Sequence, residues 1–473
     1  MASPNVTFYE IPGSTRKPGR YFEFNTRLAV RSLPGNQQTV LMLAQMLPTG
    51  TQPPLTAVDV FSSDEAETYF GAGSMAHLMV VSALTCYSYL QLQVIGISDA
   101  TGAQPASGTV TVTGPAAGNG TMSVWVGTAR VNVAVSTGDT AAAIATDMVA
   151  ALNQQAALPV TAVAANGVIT FTAKNKGAAG NEIVLRAAAT ASGVSVAATA
   201  MTGGEINPDI APALAHVFSA GHSIIVCPYA TQDALTELRS HLDNASGPLE
   251  QRGVIGVTGW KNSLSTGITL TSSINAGRIT AGWHRDSVCT VAQIAAGYAA
   301  MVASEEDPAR PLNTLAMSAL DVTALASRPM RTEQEKALYN GLAPFEIGPG
   351  DTVQIVRAIS TYTKSAAGVD DVALLDITTI RTLDYVRKAC RERITLRFPR
   401  DKLSSRTPAK VRSELLDVLY KLEELEIIEN VDANKGALIV ERDSQDMNCL
   451  NAAIPVDVVN GLHVFAGRID LLL

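Results

Sequence analysis

A chain of 473 residues exceeds what one hydrophobic core usually organises, so two to four domains are expected. Apolar residues make up 47% and aromatics 5%, a composition of soluble globular proteins and not of disordered ones. With 43 acidic residues against 35 basic, the net charge of -8 argues against nucleic acid as the main partner, because backbone binding needs a basic surface.

The first 25 residues do not read as a domain. Val6–Ile11 and Tyr21–Phe24 are short strand-like runs separated by the turn-rich, basic linker Pro12–Gly19. An isolated hairpin cannot bury enough surface to stand alone. Val6, Phe8, Tyr9 and Ile11 are therefore expected to pair with another part of the chain or with a neighbouring subunit.

From Thr39 the pattern alternates. Val40–Met46 reads as a buried strand, Val58–Phe61 as a short one, and Ser62 to Glu65 as the cap and first turn of a helix ending at Phe70. Gly71-Ala72-Gly73 breaks it, a second helix is predicted over Ser74–Ser88, and a strand over Tyr89–Ile97. This is an α/β signature.

At about Asp99 the composition shifts. Thr109–Thr113, Met122–Val126 and Arg130–Val135 alternate in period two, an amphipathic helix follows over Asp139–Gln154 with Thr137 or Asp139 as cap, and strands are predicted at Val168–Ala173 and Ile183–Arg186. The block 99–204 thus reads as a small, mostly β domain inserted into the α/β domain. That pattern resumes with helix Pro208–Ser219, strand Ser223–Cys227, helix Thr231–Asn244 and strand Arg252–Val257, with further αβ units to about Val302.

The last hundred residues begin with a basic helix, Thr378–Arg393. A second helix, Pro408–Leu425, carries Val411, Leu415, Leu419 and Leu422 on one face. A strand is predicted at Ala437–Glu441 and an extended strand from Leu462 to Leu473. The fold class expected is multidomain α/β plus β. It comprises an N-terminal strand arm (1–25), a discontinuous α/β core (26–98 and 205–375), the insertion (99–204), a C-terminal α+β domain (376–456) and a C-terminal strand arm (457–473).

Catalytic readings fail one by one. His284-Arg285-Asp286 lacks the kinase asparagine, because Val291 stands five residues after Asp286. Gly71-Ala72-Gly73-Ser74-Met75-Ala76 follows a helix and not a strand, so the dinucleotide reading is a helix-break loop. The six histidines never fall at metal-ligand spacing, and the five cysteines (Cys86, Cys227, Cys289, Cys390, Cys449) are scattered and odd in number. Free thiols in a reducing compartment are expected, with no metal and no cofactor. The longest apolar runs, such as Leu41–Leu47 and Leu78–Leu84, are too short to span a bilayer, and the N-terminus lacks the pattern of a secretory signal. The stretch Arg381–Arg412 is densely basic and is followed by the acidic Glu414–Glu429. It is either a solvated face or a docking face for acidic surfaces, and like subunits could pair head to tail through the two stretches.

Several segments resemble the Mu-like contractile tail sheath family: Asp307–Leu315, Val353–Tyr362, Phe398–Leu403, Val440–Asp443 and Val458–Ala466, with Phe70–Met75 and Gly108–Gly114 nearer the front. Asp446-Met447-Asn448-Cys449-Leu450 departs from the usual Asp-Pro-Asn-Arg-Leu. The resemblance implies a structural subunit and not an enzyme. Such subunits form hexameric rings stacked helically around a tail tube, with baseplate and terminator proteins as further partners, and contract to drive the tube through the host envelope. It implies a place in the virion tail after assembly in the host cytoplasm, without direct nucleic-acid contact or membrane insertion. A headless bactericidal tail or another contractile injection machine would use the same kind of subunit; a β-rich surface adhesin is the reading from a different class. The resemblance also implies strand exchange between subunits, which assigns Val6, Phe8, Tyr9, Ile11, Val464, Phe465, Ile469 and Leu471 to inter-subunit arms. The tube contact is expected on Arg387, Lys388 and Arg391, and the insertion on the outer surface.

Overall fold

The computed structural model describes residues 17–22 and 33–471 of the chain. It begins with β1 (Thr39–Gln45), β2 (Ala57–Asp59), α1 (Ser63–Phe70), α2 (Met75–Cys86) and β3 (Gln91–Ile97). The Ser62 cap lies where the sequence places it, its hydroxyl accepting from the Glu65 N–H, while Ser74, expected as the first helical residue, is the cap of α2 and accepts from the His77 N–H. Gly71 (φ 88°) and Gly73 (φ 74°) adopt left-handed backbone in the break between the helices.

Residues 106–201 build a core of their own around Met122, Val124, Ile144, Met148, Ile169 and Phe171. The elements are β4 (Ser107–Thr113), β5 (Gly120–Val126), β6 (Ala129–Val135), α3 (Ala141–Asn153), β7 (Val160–Ala165), β8 (Val168–Ala173), β9 (Leu185–Ala189) and β10 (Ser195–Ala198). They form two antiparallel sheets, β10-β4-β8-β7 and β6-β5-β9. The cap of α3 is Thr140, not Thr137 or Asp139. The Asp139 carboxylate instead accepts from the Ser136 N–H, and the Thr137 hydroxyl donates to Asn119. β7 and β10 were not expected, because their Ala-rich runs have little strand character.

The main chain then returns to the first sheet with α4 (Ala211–Val217), β11 (Ile224–Val226), α5 (Gln232–Ala245), β12 (Ile255–Trp260), α6 (Leu264–Ile274), β13 (Ile279–Trp283), α7 (Val291–Ser304), α8 (Arg331–Leu338), β14 (Ala343–Gly348) and β15 (Thr352–Ile355). The sheet has eight strands in the order β15-β14-β13-β12-β11-β1-β3-β2, parallel except for its two edges. Helices cover both faces, so its central strands read as unbroken apolar runs. Val40 to Ala44 are all fully buried. α7 is buried along nearly its whole length, and the Thr290–Gln293 capping box starts it. The strand expected at Arg252–Val257 begins three residues later, and helix Pro208–Ser219 shortens to α4.

The segment from Asp99 and the loop 174–182 fasten the insertion to this core. Asn175 accepts from the Met75 N–H (2.9 Å) at the start of α2 and donates to the Met46 carbonyl (3.1 Å). Glu182 accepts from the Val291 N–H (2.8 Å) at the start of α7. Gln45 donates to Asp99 (2.9 Å), and Lys174 to the Ala72 carbonyl (3.0 Å). One loop of the insertion therefore satisfies orphan donors of two core helices.

The C-terminal unit comprises α9 (Ile377–Arg397), α10 (Thr407–Glu424), α11 (Val431–Asn434), β16 (Ile439–Arg442) and β17 (Leu450–Ala453). α9 packs Tyr385, Val386, Ala389 and Cys390 against Val411, Leu415, Val418 and Leu422 of α10. The strand expected over Leu462–Leu473 is absent among the described residues: 462–471 pair with no strand of the chain.

Candidate inter-subunit surface

The basic helix is a joint. Arg278 of the core grips Asp384 of α9 with two bonds (2.6 and 3.0 Å), and Arg387 adds a third to the same carboxylate (2.8 Å). Arg387 also donates to the Ser246 carbonyl (2.7 Å), and Arg391 to that of Gln251 (3.3 Å). The fit is close: a Cβ at Gly253 would lie 2.6 Å from Asp384. Further along α9, Arg393 meets Asp417 (2.6 Å) and Glu414 (3.2 Å), and Arg397 also reaches Glu414 (3.4 Å). The basic and acidic stretches thus pair within one subunit. The cause is that α9 and α10 fold back on each other.

α9 also holds the root of the N-terminal arm. Tyr385 donates to the Pro34 carbonyl (2.9 Å) and Lys388 to that of Gly35 (2.8 Å), while Asn36 donates to the Glu306 carbonyl (2.6 Å) on the core. The arm residues Val6, Phe8, Tyr9 and Ile11 lie outside the described residues.

The root of the C-terminal arm is held twice. On the C-terminal unit, the Glu429 N–H donates to the Asp457 carbonyl (2.9 Å), beside an antiparallel bridge between Ile428 and Val458. On the core, the Asn313 amide donates to His463 Nδ1 (3.0 Å), and His463 Nε2 lies 3.5 Å from Asp376. Asp376 is itself gripped by Arg357 through two bonds of 2.7 Å. Burial and the Arg357 charge lower the His463 pKa against the opposing pull of Asp376. Beyond this latch the chain is bare: Val464 is 78% exposed, Phe465 87%, Ile469 99% and Leu471 84%.

β16 and β17 pair with each other and, among the described residues, with nothing else. No described strand pairs with either outer edge of this ladder. Beside it, between α9, α10 and β17, lies an apolar groove of about 660 Å³ lined by Val386, Cys390, Ile394, Phe398, Val411 and Leu450. Sequence reasoning missed β17, because Leu450-Asn451-Ala452-Ala453 carries almost no strand signal.

The chemical motifs resolve into structure. His284 donates to the Asp321 carbonyl (2.7 Å), and the Asp321 carboxylate accepts from Ser287 and the Val288 N–H (3.1 Å), a network that closes the loop before α7. Among the described residues, no cluster of three or more His, Cys, Asp or Glu could hold a metal, and no helix is long and apolar enough to cross a membrane.

Comparison with known proteins decides what these features belong to. Residues 203–361 match the phage tail sheath protein central domain and residues 369–471 the phage tail sheath C-terminal domain. The Mu-like prophage FluMu tail sheath protein of Haemophilus influenzae is 32% identical, covering 99% of this chain and 100% of that protein. The chain belongs to the Mu-like phage tail sheath family. The fold is also that of solved sheath proteins. The Desulfitobacterium hafniense sheath tail protein has a TM-score of 0.52 at 14% identity, covering 94% of this chain and 97% of that one. The Listeria innocua sheath tail protein gives 0.52 at 14%, covering 92% and 94%. Tail sheath proteins of this family are structural parts of contractile tails, and the open ladder, the groove and the two arm roots are read in that light.

Proposed function

We propose that this chain polymerises as hexameric rings stacked around a tail tube, that its terminal arms add strands to the β16–β17 ladder of neighbouring copies, and that contraction drives the tube through the host envelope. The observation that carries the reading is a complementary pair: a ladder whose outer edges no described strand pairs, beside an apolar groove, and an arm whose apolar residues are exposed. Magnitudes say what such an exchange needs. About five backbone bonds, at roughly 1 kcal/mol each, do not offset the ordering of eight residues at about 1–2 kcal/mol each. Burying Val464, Phe465, Ile469 and Leu471, at about 1.5–3 kcal/mol apiece, brings the gain up to the size of that cost. The groove, and not the hydrogen bonds alone, would make the exchange hold.

The joints then assign parts to the moving body. Fixed by the 174–182 loop, the insertion would travel with the core, on the outer surface where it cannot obstruct the lattice. The tube contact remains a proposal for Arg387, Lys388 and Arg391; all three already donate to backbone carbonyls of the chain, and Arg391 is the exposed one. The baseplate and terminator would meet the ends of the stack, and the assembled particle would be a virion tail.

Negative-stain microscopy of the concentrated full-length chain tests this, against a variant ending at His463. Hollow striated tubes from the full chain and dispersed subunits from the truncation are expected. Tubes from both would remove the C-terminal arm from the mechanism, and dispersed subunits of the full chain even with a tube added would remove polymerisation.

A further inference from the structure

A cavity of about 210 Å³ lies where α9, the loop 251–255, the loop 221–223 and the N-terminal strap 36–38 meet. Four cations line it, Arg252, Arg381, Lys388 and Arg391, against one carboxylate. That carboxylate, Asp384, is already engaged by Arg278 and Arg387. The cation excess is therefore real and local.

Two of the guanidinium groups are also short of partners. Arg381 is only 7% exposed; its Nη2 donates to the Glu305 carbonyl (2.6 Å), but its Nη1 is buried without a hydrogen-bond partner. Burial pulls its pKa down to about 10, although the Glu305 and Asp307 charges oppose the shift. Arg252 sits 4.8 Å from the Phe218 ring centroid and gives its Nη2 to Glu250 (2.6 Å), yet its Nε is buried and unpartnered. A buried donor left unmatched is costly, more so when charged, so two around one cation-lined cavity indicate a missing acceptor.

We propose that this cavity binds a small oxyanion of the phosphate class. Three of its cations, Arg381, Lys388 and Arg391, lie along α9, and the fourth, Arg252, comes from the loop before β12. An oxyanion with several acceptor oxygens can meet donors on both elements at once. Bound there, the anion joins α9 to the 251–255 loop and to the strap that begins the N-terminal arm, and so fixes the direction in which that arm leaves. The consequence for the arm rests on the strand-exchange reading; binding itself does not.

The test is thermal unfolding and isothermal titration of the full-length chain with inorganic phosphate, with chloride at matched ionic strength as control. Saturable phosphate binding is expected, with a melting temperature that keeps rising with the logarithm of phosphate above its Kd and no comparable rise in chloride. Lys388→Met, at a half-exposed position, should keep the fold and weaken phosphate binding at least tenfold; Arg381→Met should abolish it. Equal stabilisation by chloride, or phosphate binding unchanged in Lys388→Met, would overturn the proposal, the first by showing screening alone. Neither result touches tube formation, which the microscopy reads separately.

Discussion

The insertion and the C-terminal unit are joined to the same core by different chemistry. The insertion uses neutral and capping bonds: Asn175 and Glu182 satisfy the first N–H groups of α2 and α7, so the core helices are incomplete without it. The C-terminal unit uses charge: Asp384 between Arg278 and Arg387, with Arg391 on a backbone carbonyl. The first kind of joint leaves no alternative partner for the groups it satisfies. The second can exchange partners with water, ions or another subunit. In a subunit that has to change its packing, the first joint suits a fixed attachment and the second an adjustable one.

The largest effect should come from breaking the charged joint. Asp384→Ala leaves Arg278 and Arg387 without their shared carboxylate; Arg278 is 14% exposed and Asp384 16%. Removing one partner of a buried pair costs about 3–5 kcal/mol, and the residual exposure here lowers that to about 2–4. Denaturant unfolding should show the loss. Hydrogen exchange should show it concentrated in α9 and residues 33–38, with β1 and β3 still protected. Uniform loss of protection would mean that the joint does not open independently of the core.

Breaking the capped joint should cost less and spread further. Asn175→Ala removes an acceptor at the start of α2 and a donor to Met46, about 1–2 kcal/mol. The destabilisation should reach both the insertion and α2. Release of the insertion alone, seen as exchange confined to residues 106–201, would refute a shared unit. Glu182→Gln sharpens the point. Burial raises the Glu182 pKa against the pull of Lys261, so its charge is less favourable there than in water; a neutral amide keeps the acceptor for Val291 and gives up only the attraction to Lys261, and a change of about 1 kcal/mol is expected.

How much of this the sequence disclosed follows from where each signal resides. β1, β3 and the cap at Ser62 were legible because burial on both faces and side-chain capping are local properties. The start of β12 was not, because residues before it serve a non-local purpose: Gln251 and Val254 present carbonyls to Arg391 and Arg278. β14 was hidden by Pro344 and Gly348, which weaken a strand pattern. The arm's extended, apolar-rich run was visible from Leu462 onward, but not its lack of a partner strand among the described residues. For the basic helix, charge density could be read and its targets could not. Backbone carbonyls have no sequence signature, and Glu414 and Asp417 meet Arg393 only through the fold of α9 on α10.

The smallest expected effect concerns the C-terminal latch, which mixes the two kinds of joint. His463 accepts from Asn313 as a neutral ring, with Arg357 and Asp376 as the charged groups facing it. Its pKa in the folded chain is lowered, so the folded state resists protonation. The latch's stabilisation is full above the unfolded value of about 6.5 and falls as the pH drops from there towards the lowered folded value, below which no further change follows. Opening at residues 461–463, read as exchange corrected for its intrinsic pH dependence, should therefore quicken as the pH falls below about 6.5, while the Tyr385–Pro34 root, which contains no histidine, stays unchanged on the same scale. His463→Gln should remove the pH dependence. Quickening at both roots alike would point instead to a general loosening of the C-terminal unit, because α9 carries Asp376 at one end and Tyr385 two turns further on.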